Sequence, residues 1–449
     1  MGIVAFIICV CCLIICGRKL KFKLNHPVSF FYCLWSIILF LSILNLYDLK
    51  KPSDLAYLLI MLMLIGFLIG SIIYCIISEN FKFKKKKINS KKEKNLVKFN
   101  GNNKIILNSF QKNILYIMYF LSISILIFDV FLVIRYLFNG IPMWQIRNWT
   151  LEPFGSSNPI MGRRTFVEEL FRTMFVSTFN LIAPAISAYI LFNENNDKGY
   201  KFNFSILSIV ILLFECLSNG GGRLSIICFL GFYFLAFLYS YDKIKINFKK
   251  IKKLFLIFII IGFLMVASLS ALRNGFGSFI RECYRYFAMS PTLLSEWIPE
   301  IMNIEHTYGL LTFFGLHGYF FRGLSFIGLD FLVPKLYDIS YNAILDAEIF
   351  IEIGGGIANA FVTPIYYFLI DGGIIFVCIA SILFGFLVCW SYKKIIDNKC
   401  IRNFIYYVLI MYAVFISFMR IQTCIPSFII TFILVYLIFN NKFYERLKK

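Results

Sequence analysis

The stretch LAYLLIMLMLIGFLIGSIIYCIIS (55–78), followed by ENFKFKKKKINSKKEKNLVK (79–98), decides the fold class. Its first part carries no charge and, at 1.5 Å per residue, is long enough to cross roughly 30 Å of hydrocarbon. Its second part is a lysine tract of the kind retained at the cytoplasmic face of a membrane. Outward from this pair the chain repeats the pattern, with apolar runs at 2–16, 28–47, 113–138, 173–192, 203–219, 224–240, 254–271, 372–391, 404–420 and 424–440. The runs are continuous and do not alternate in and out, which excludes a β-barrel. The expected fold is all-α: a polytopic transmembrane helix bundle of about eleven spans, forming one membrane domain over residues 1–449.

Composition agrees with lipid as the solvent. The chain is 60% hydrophobic, 19% aromatic and only 15% charged, more apolar surface than a soluble core of this length buries. A net charge of +21 raises the question of nucleic acid, but the lysines concentrate in loops between apolar runs, so the charge reads as topology and no nucleic-acid partner is expected. Most of the thirteen cysteines lie in or beside apolar runs and read as small hydrophobes. Cys9 and Cys12 form the only CxxC, and His26, His306 and His317 make no ligand cluster with cysteines, so neither a metal nor a cofactor is expected. Gly2–Cys16 lacks the basic start of a cleaved signal and is expected to remain as a short first helix.

The Lys-rich segments 17–24, 79–98, 242–253, 393–402 and 442–449 all fall on one side of an eleven-span alternation. That predicts an N-terminus outside, a C-terminus in the cytoplasm and a basic cytoplasmic loop over 79–112. It leaves an outer loop at 139–172 and a long outer segment at 272–371, the expected location of the active site. Apolar stretches such as Leu310–Phe321 and Phe326–Val333 predict interfacial or re-entrant helices within that segment. Gly354-Gly355-Gly356 and Gly372-Gly373 read either as the border of a cavity or as hinges.

Arginine is distributed unlike lysine. Of fourteen arginines, ten lie in or beside outward segments: Arg147, Arg163, Arg164, Arg172, Arg223, Arg273, Arg281, Arg285, Arg322 and Arg420. Guanidinium is a planar fork that binds phosphate oxygens in pairs, so an outward arginine-lined site implies an anionic, phosphate-bearing ligand. The competing reading is pairing with outward carboxylates such as Glu282 and Glu296. Arg223, after Gly220-Gly221-Gly222 at a predicted helix N-terminus, ranks first as a phosphate ligand. Arg273, Arg281, Arg285 and Arg322 follow; Arg281 and Arg285 share one helical face. For a base, His317 in GLHGYFFRG is the leading residue against a structural reading, Glu352 and Asp371 are alternatives, and His306 reads as exposed loop.

Three stretches carry a family resemblance: SNGGGRLSIICFLGFYFL (218–235), the outer segment opening with LRNGFGSFIRECYRYF, and IANAFVTPIYYFLIDGGIIFVCIASILFGFL (357–387). In layout over most of the chain they resemble the Wzy-type oligosaccharide repeat unit polymerases, relatives of the O-antigen ligases. No outward arginine here has glycine eleven positions later, a departure from one pattern of such polymerases. The resemblance implies polymerisation of undecaprenyl-diphosphate-linked repeat units into O-antigen or capsular polysaccharide at the outer face of a bacterial cytoplasmic membrane. It implies no metal, and it admits a chain-length regulator as partner. A diphosphate leaving group calls for cationic donors more than for an acid, and an acceptor hydroxyl calls for a base. The alternatives are an O-antigen ligase and, from another class, a lipid-linked oligosaccharide flippase or transporter. A transporter would carry intramembrane charges or repeated halves, and here Asp129 and Glu215 are the clearest charges within the predicted spans.

Overall fold

A computed structural model of the chain describes residues 1–18, 20, 22, 26–89, 107–151, 165–193, 198–222, 224–241, 279–397 and 400–440. Within them the helices are α1 (Gly2–Arg18), α2 (Pro27–Leu44), α3 (Asp54–Asn89), α4 (Ser109–Phe138) and α5 (Met143–Leu151). Next come α6 (Phe166–Arg172), α7 (Thr178–Asn193), α8 (Lys198–Ser218), α9 (Leu224–Tyr241), α10 (Phe279–Ile301), α11 (Phe314–Phe326) and α12 (Lys335–Asp346). The last are α13 (Thr363–Asp397), α14 (Ile401–Ile416) and α15 (Pro426–Phe439). The strands among the described residues form one hairpin, pairing Ile351 with Ala358 and Glu352 with Ile357. The architecture is therefore all-α but for that hairpin.

Every apolar run expected from the sequence is helical except 254–271, which lies outside the described residues. Five helices are long and apolar enough to cross a membrane: Pro27–Leu44, Asp54–Ser78, Ser109–Phe138, Phe166–Phe192 and Thr363–Asp397. Shorter apolar helices, Gly2–Arg18, Phe202–Ser218, Leu224–Leu238, Ile401–Ile416 and Pro426–Phe439, accompany them. This is the architecture of a multi-pass membrane protein. Large apolar side chains such as Phe120, Phe131 and Ile375 stand exposed on these helices, where lipid replaces water as the neighbour.

Helix ends explain several boundaries that differ from expectation. The expected loop 79–112 is helical to Asn89, and Asn108 then opens α4 through a capping box: its side chain accepts from Gln111 N at 2.7 Å and its N–H donates to Gln111 Oε1 at 3.1 Å. The expected outer loop 139–172 holds α5 and all of α6, because Thr165 and Glu168 form a second capping box. A π turn over Thr173–Ser177 carries α6 directly into α7. The run expected to begin at 372 begins instead at Thr363. Gly372 and Gly373 are a break inside α13, with Gly373 at φ 63°, and Thr363–Asp371 is a buried half-helix. Helix α13 thus takes up the last nine residues of the segment expected over 272–371.

The helices bury two apolar cores. One gathers α1, α2, α3, α10 and α13 around Phe31, Trp35, Phe67 and Tyr366; the other gathers α4, α7, α8, α9, α14 and α15 around Tyr119, Phe179, Phe204 and Phe404. In the first, α3 and α13 approach closely through Gly66 and Gly70 on one helix and Ser381 and Gly385 on the other. A Cβ at Gly70 would overlap the Ile382 carbonyl, and one at Gly385 the Phe67 carbonyl.

The arginine-bearing segments meet at one end of the bundle. Lys50 N donates to Ile353 O at 2.7 Å, Ser53 N to Ser295 Oγ at 2.9 Å, Arg147 to Asn219 O at 2.9 Å and Thr423 Oγ1 to Thr312 O at 2.6 Å. Arg420 pairs with Glu348 at 2.6 Å beside them. Elsewhere His26 packs on Tyr392, Asn403 bonds Lys394 O, and Gln111 Nε2 donates to Ile438 O, tying the start of α2, the end of α13, the start of α14, the start of α4 and the end of α15 together.

Candidate functional site

At the arginine end of the second core lies a cavity of about 340 Å³, within the usual range for a small-molecule site. Its wall mixes Ser177, Asn180, Ser208, Glu215, Asn219 and Gln422 with the rings of Phe229, Tyr412 and Phe428, and Arg147 and Gly222 also line it. A polar hollow among apolar helices is costly unless its groups are partnered or used.

The SNGGG turn builds one wall. It ends α8 by a Schellman motif: Gly221 N donates to Cys216 O at 2.8 Å and Gly220 N to Leu217 O at 3.0 Å, with Gly220 left-handed at φ 57°. A Cβ at Gly220 would also press on the Arg147 backbone at 2.8 Å, so glycine is required twice over. That close approach brings Arg147 of α5 onto the turn, where its guanidinium donates to Asn219 O. Asn219 Nδ2 in turn donates to Glu215 Oε1 at 2.7 Å, one helical turn back. Glu215 Oε2 and Asn180 Oδ1 are buried and have no hydrogen-bond partner among the described residues. Pro184, three places after Leu181 on the same wall, has no N–H to offer the Asn180 carbonyl. Close by, Arg172 is ion-paired with Asp129 and also feels the charge of Glu215.

The residues singled out from the sequence do not form a single constellation. Arg223 and Arg273 lie outside the described residues, although Gly222, next to Arg223, lines the cavity. Arg281 and Arg285 share a face of α10 as expected, but that face clamps the hairpin: Arg281 donates to Gly355 O and Arg285 to Ile357 O at 3.2 Å. The Arg285–Glu282 pair expected as competition is present but long, at 3.9 Å. A Cβ at Gly356 would strike the Arg285 guanidinium at 2.6 Å, and one at Gly355 would overlap the Tyr47 carbonyl, so the glycine triplet is a fitted turn between α10 and the 47–50 loop. It borders no cavity described here. Arg322 stacks over Phe166 and Tyr341 at 5.9 and 5.7 Å. Burial pushes the Tyr319 and Tyr337 phenols beside it up to about 12, and its charge pulls both back.

Among the proposed bases, Asp371 is fully buried and accepts four hydrogen bonds. Its Oδ1 accepts from Thr307 Oγ1 at 2.5 Å, Gly309 N at 2.9 Å and Leu311 N at 3.1 Å, and its Oδ2 accepts from Thr312 N at 2.8 Å. This is a holding role, and it answers the break in α13: Thr307 N and Tyr308 N take the Ile370 and Asp371 carbonyls that the glycines release. Glu352 is exposed on the hairpin. His306 is exposed loop, with one ring nitrogen 3.3 Å from Ile370 O. His317 Nε2 lies 2.9 Å from Leu310 O; donating there, it leaves Nδ1 unprotonated, buried and without a partner. His317 does not line the cavity; its helix α11 packs on 423–425, and Gln422 and Ile425 face the cavity from that segment.

Sequence reasoning missed Asn180, Asn219 and Gln422, and it named Arg147 and Glu215 without giving them a role. The available signals were local: ECLSN places a carboxylate and an amide four apart on one helical face, and NLIAP places an amide four before a proline. Comparison of the chain with protein-family models, with curated proteins and with solved structures found no match.

Proposed function

We propose that the chain is a membrane glycosyltransferase that polymerises undecaprenyl-diphosphate-linked repeat units at the outer face of a bacterial cytoplasmic membrane. The observation that carries this reading is the cavity at the arginine end of the bundle, with Arg147 and the Asn219 and Gly222 of the SNGGG turn on its wall. Such a cavity offers what the reaction requires. The acceptor hydroxyl oxygen forms a bond to the anomeric carbon of the donor glycan, the carbon–oxygen bond to diphosphate breaks, and the diphosphate leaves with the electron pair. Guanidinium donors stabilise that developing charge, and the hydroxyl proton passes to a base that lies outside the cavity wall. The layout resemblance to the Wzy-type polymerases supports the same reading; a ligase would use the same donor with a different acceptor.

The test is polymer formation from purified lipid-linked repeat units in proteoliposomes. Arg147→Ala and Arg223→Ala each reduce the rate by tens- to hundreds-fold, about 2–4 kcal/mol of transition-state stabilisation, while the protein still inserts. Arg223→Lys also fails, since an ammonium cannot make the paired bonds. Wild-type rates in both alanine variants sink the proposal. His317→Gln, which keeps the bond to Leu310 but accepts no proton near neutral pH, tests the base separately. The intramembrane Asp129–Arg172 pair beside Glu215 favours one second reading, a flippase. Movement of lipid-linked glycan across the bilayer without joining would establish it.

A further inference from the structure

The polar cavity is unbalanced in its hydrogen-bonding groups. Its deep wall carries acceptors that lack donors among the described residues: Glu215 Oε2 and Asn180 Oδ1. Glu215 Oε1 and the Arg147 guanidinium, by contrast, already hold Asn219 from opposite sides. A phosphate has only acceptors to present at neutral pH and would be repelled by the Glu215 carboxylate, so the deep wall is unsuited to the anion that the arginine side favours. Buried acceptors without donors carry a desolvation penalty that a bound group with several O–H donors removes. The rings of Tyr412, Phe229 and Phe428 line the same hollow and supply flat apolar faces for C–H groups.

We infer that this wall is a subsite for a neutral pyranose, with Glu215 Oε2 and Asn180 Oδ1 each accepting a hydrogen bond from a sugar hydroxyl. The inference rests on the reading of the cavity as the substrate site and assigns its two ends: phosphate toward Arg147 and the glycine turn, sugar ring toward Glu215 and Asn180. Beside this wall Arg172 is held by Asp129, and Arg147 and Glu215 grip Asn219 from opposite sides.

The full chain in lipid nanodiscs is tested with two kinds of probe: methyl glycosides of glucose, galactose and N-acetylglucosamine, and bare undecaprenyl diphosphate. Saturation-transfer NMR reads the glycosides, and at least one is expected to bind. Glu215→Gln keeps the side-chain volume and the bond from Asn219 but loses the charged acceptor; Asn180→Leu removes the amide. Each is expected to weaken glycoside affinity at least tenfold while leaving bare undecaprenyl diphosphate binding within twofold. In wild-type protein, a bound glycoside should also protect Glu215 from carbodiimide-driven amidation, read by mass spectrometry. That measurement decides the matter if either variant fails to accumulate.

Glycosides that do not bind, that bind wild type and both variants equally, or that leave Glu215 unprotected overturn the inference. So does a preference for methylamine over every glycoside, which would make the wall a cation site. Failure of bare undecaprenyl diphosphate to bind, with glycoside binding intact and dependent on Glu215, would instead remove the polymerase reading and leave the sugar subsite standing.

Discussion

A carboxylate surrounded by four donors, as Asp371 is, has a large share in stability. Asp371→Asn turns one acceptor into a donor facing N–H groups, and it should lower the unfolding free energy by about 2–3 kcal/mol. Thermal unfolding of the purified protein measures this, and a variant as stable as wild type would return Asp371 to consideration as a base. The aspartate and the glycines after it were legible in the sequence; its partners at 307–312 were not, because no local pattern links residues that far apart. His26 gives a second prediction at this scale. It caps α2 through Nδ1, stacked on Phe22, and burial pushes its imidazole from the ordinary 6.5 down to about 3. The folded state thus resists a proton that the unfolded state accepts. Stability from this group is complete above pH 7 and is lost as pH falls from 6.5 toward 3, by up to about 1.4 kcal/mol per pH unit. His26→Asn keeps a capping side chain without the titration, so its melting temperature should fall less steeply over the same pH range; identical slopes would contradict the assignment.

Among the elements, the crossing of α3 and α13 is the most demanding fit. Helix backbones approach this closely only where small residues face each other, and Gly66, Gly70, Ser381 and Gly385 do so. Gly70→Leu should cost about 1–3 kcal/mol through enforced separation of the two helices. Gly231→Leu, with nothing within 4 Å of the added Cβ, should leave unfolding in detergent unchanged. Equal stability of the two variants would show that the crossing is loose. The helices themselves were largely readable, since an apolar run of membrane length has few alternatives to helix. The boundaries were less so. Capping boxes at Asn108 and Thr165 are local signals, but the half-helix Thr363–Asp371 is apolar on all sides and resembled the end of an outer segment until its burial placed it in the first core. The cavity was the least legible element, because its wall draws on α5, α7, α8, α9 and the 422–428 segment together.

For the molecule as a whole, the Lys-rich segments of the sequence predict an orientation that can be tested directly. Reporter fusions at residue 90 should read as cytoplasmic and at residue 300 as external; the same side for both would remove the basis for an outer site. The broken helix α13 also bears on how the chain enters the bilayer. Thr363–Asp371 is only about 13 Å long, less than half of the roughly 30 Å of hydrocarbon, so it cannot be partitioned into lipid as an independent segment. Among the described residues, Thr307 and Tyr308 take its Ile370 and Asp371 carbonyls. The break therefore ties insertion to folding: Gly372–Asp397 is long enough to enter lipid by itself, whereas Thr363–Asp371 depends on its packing within the first core.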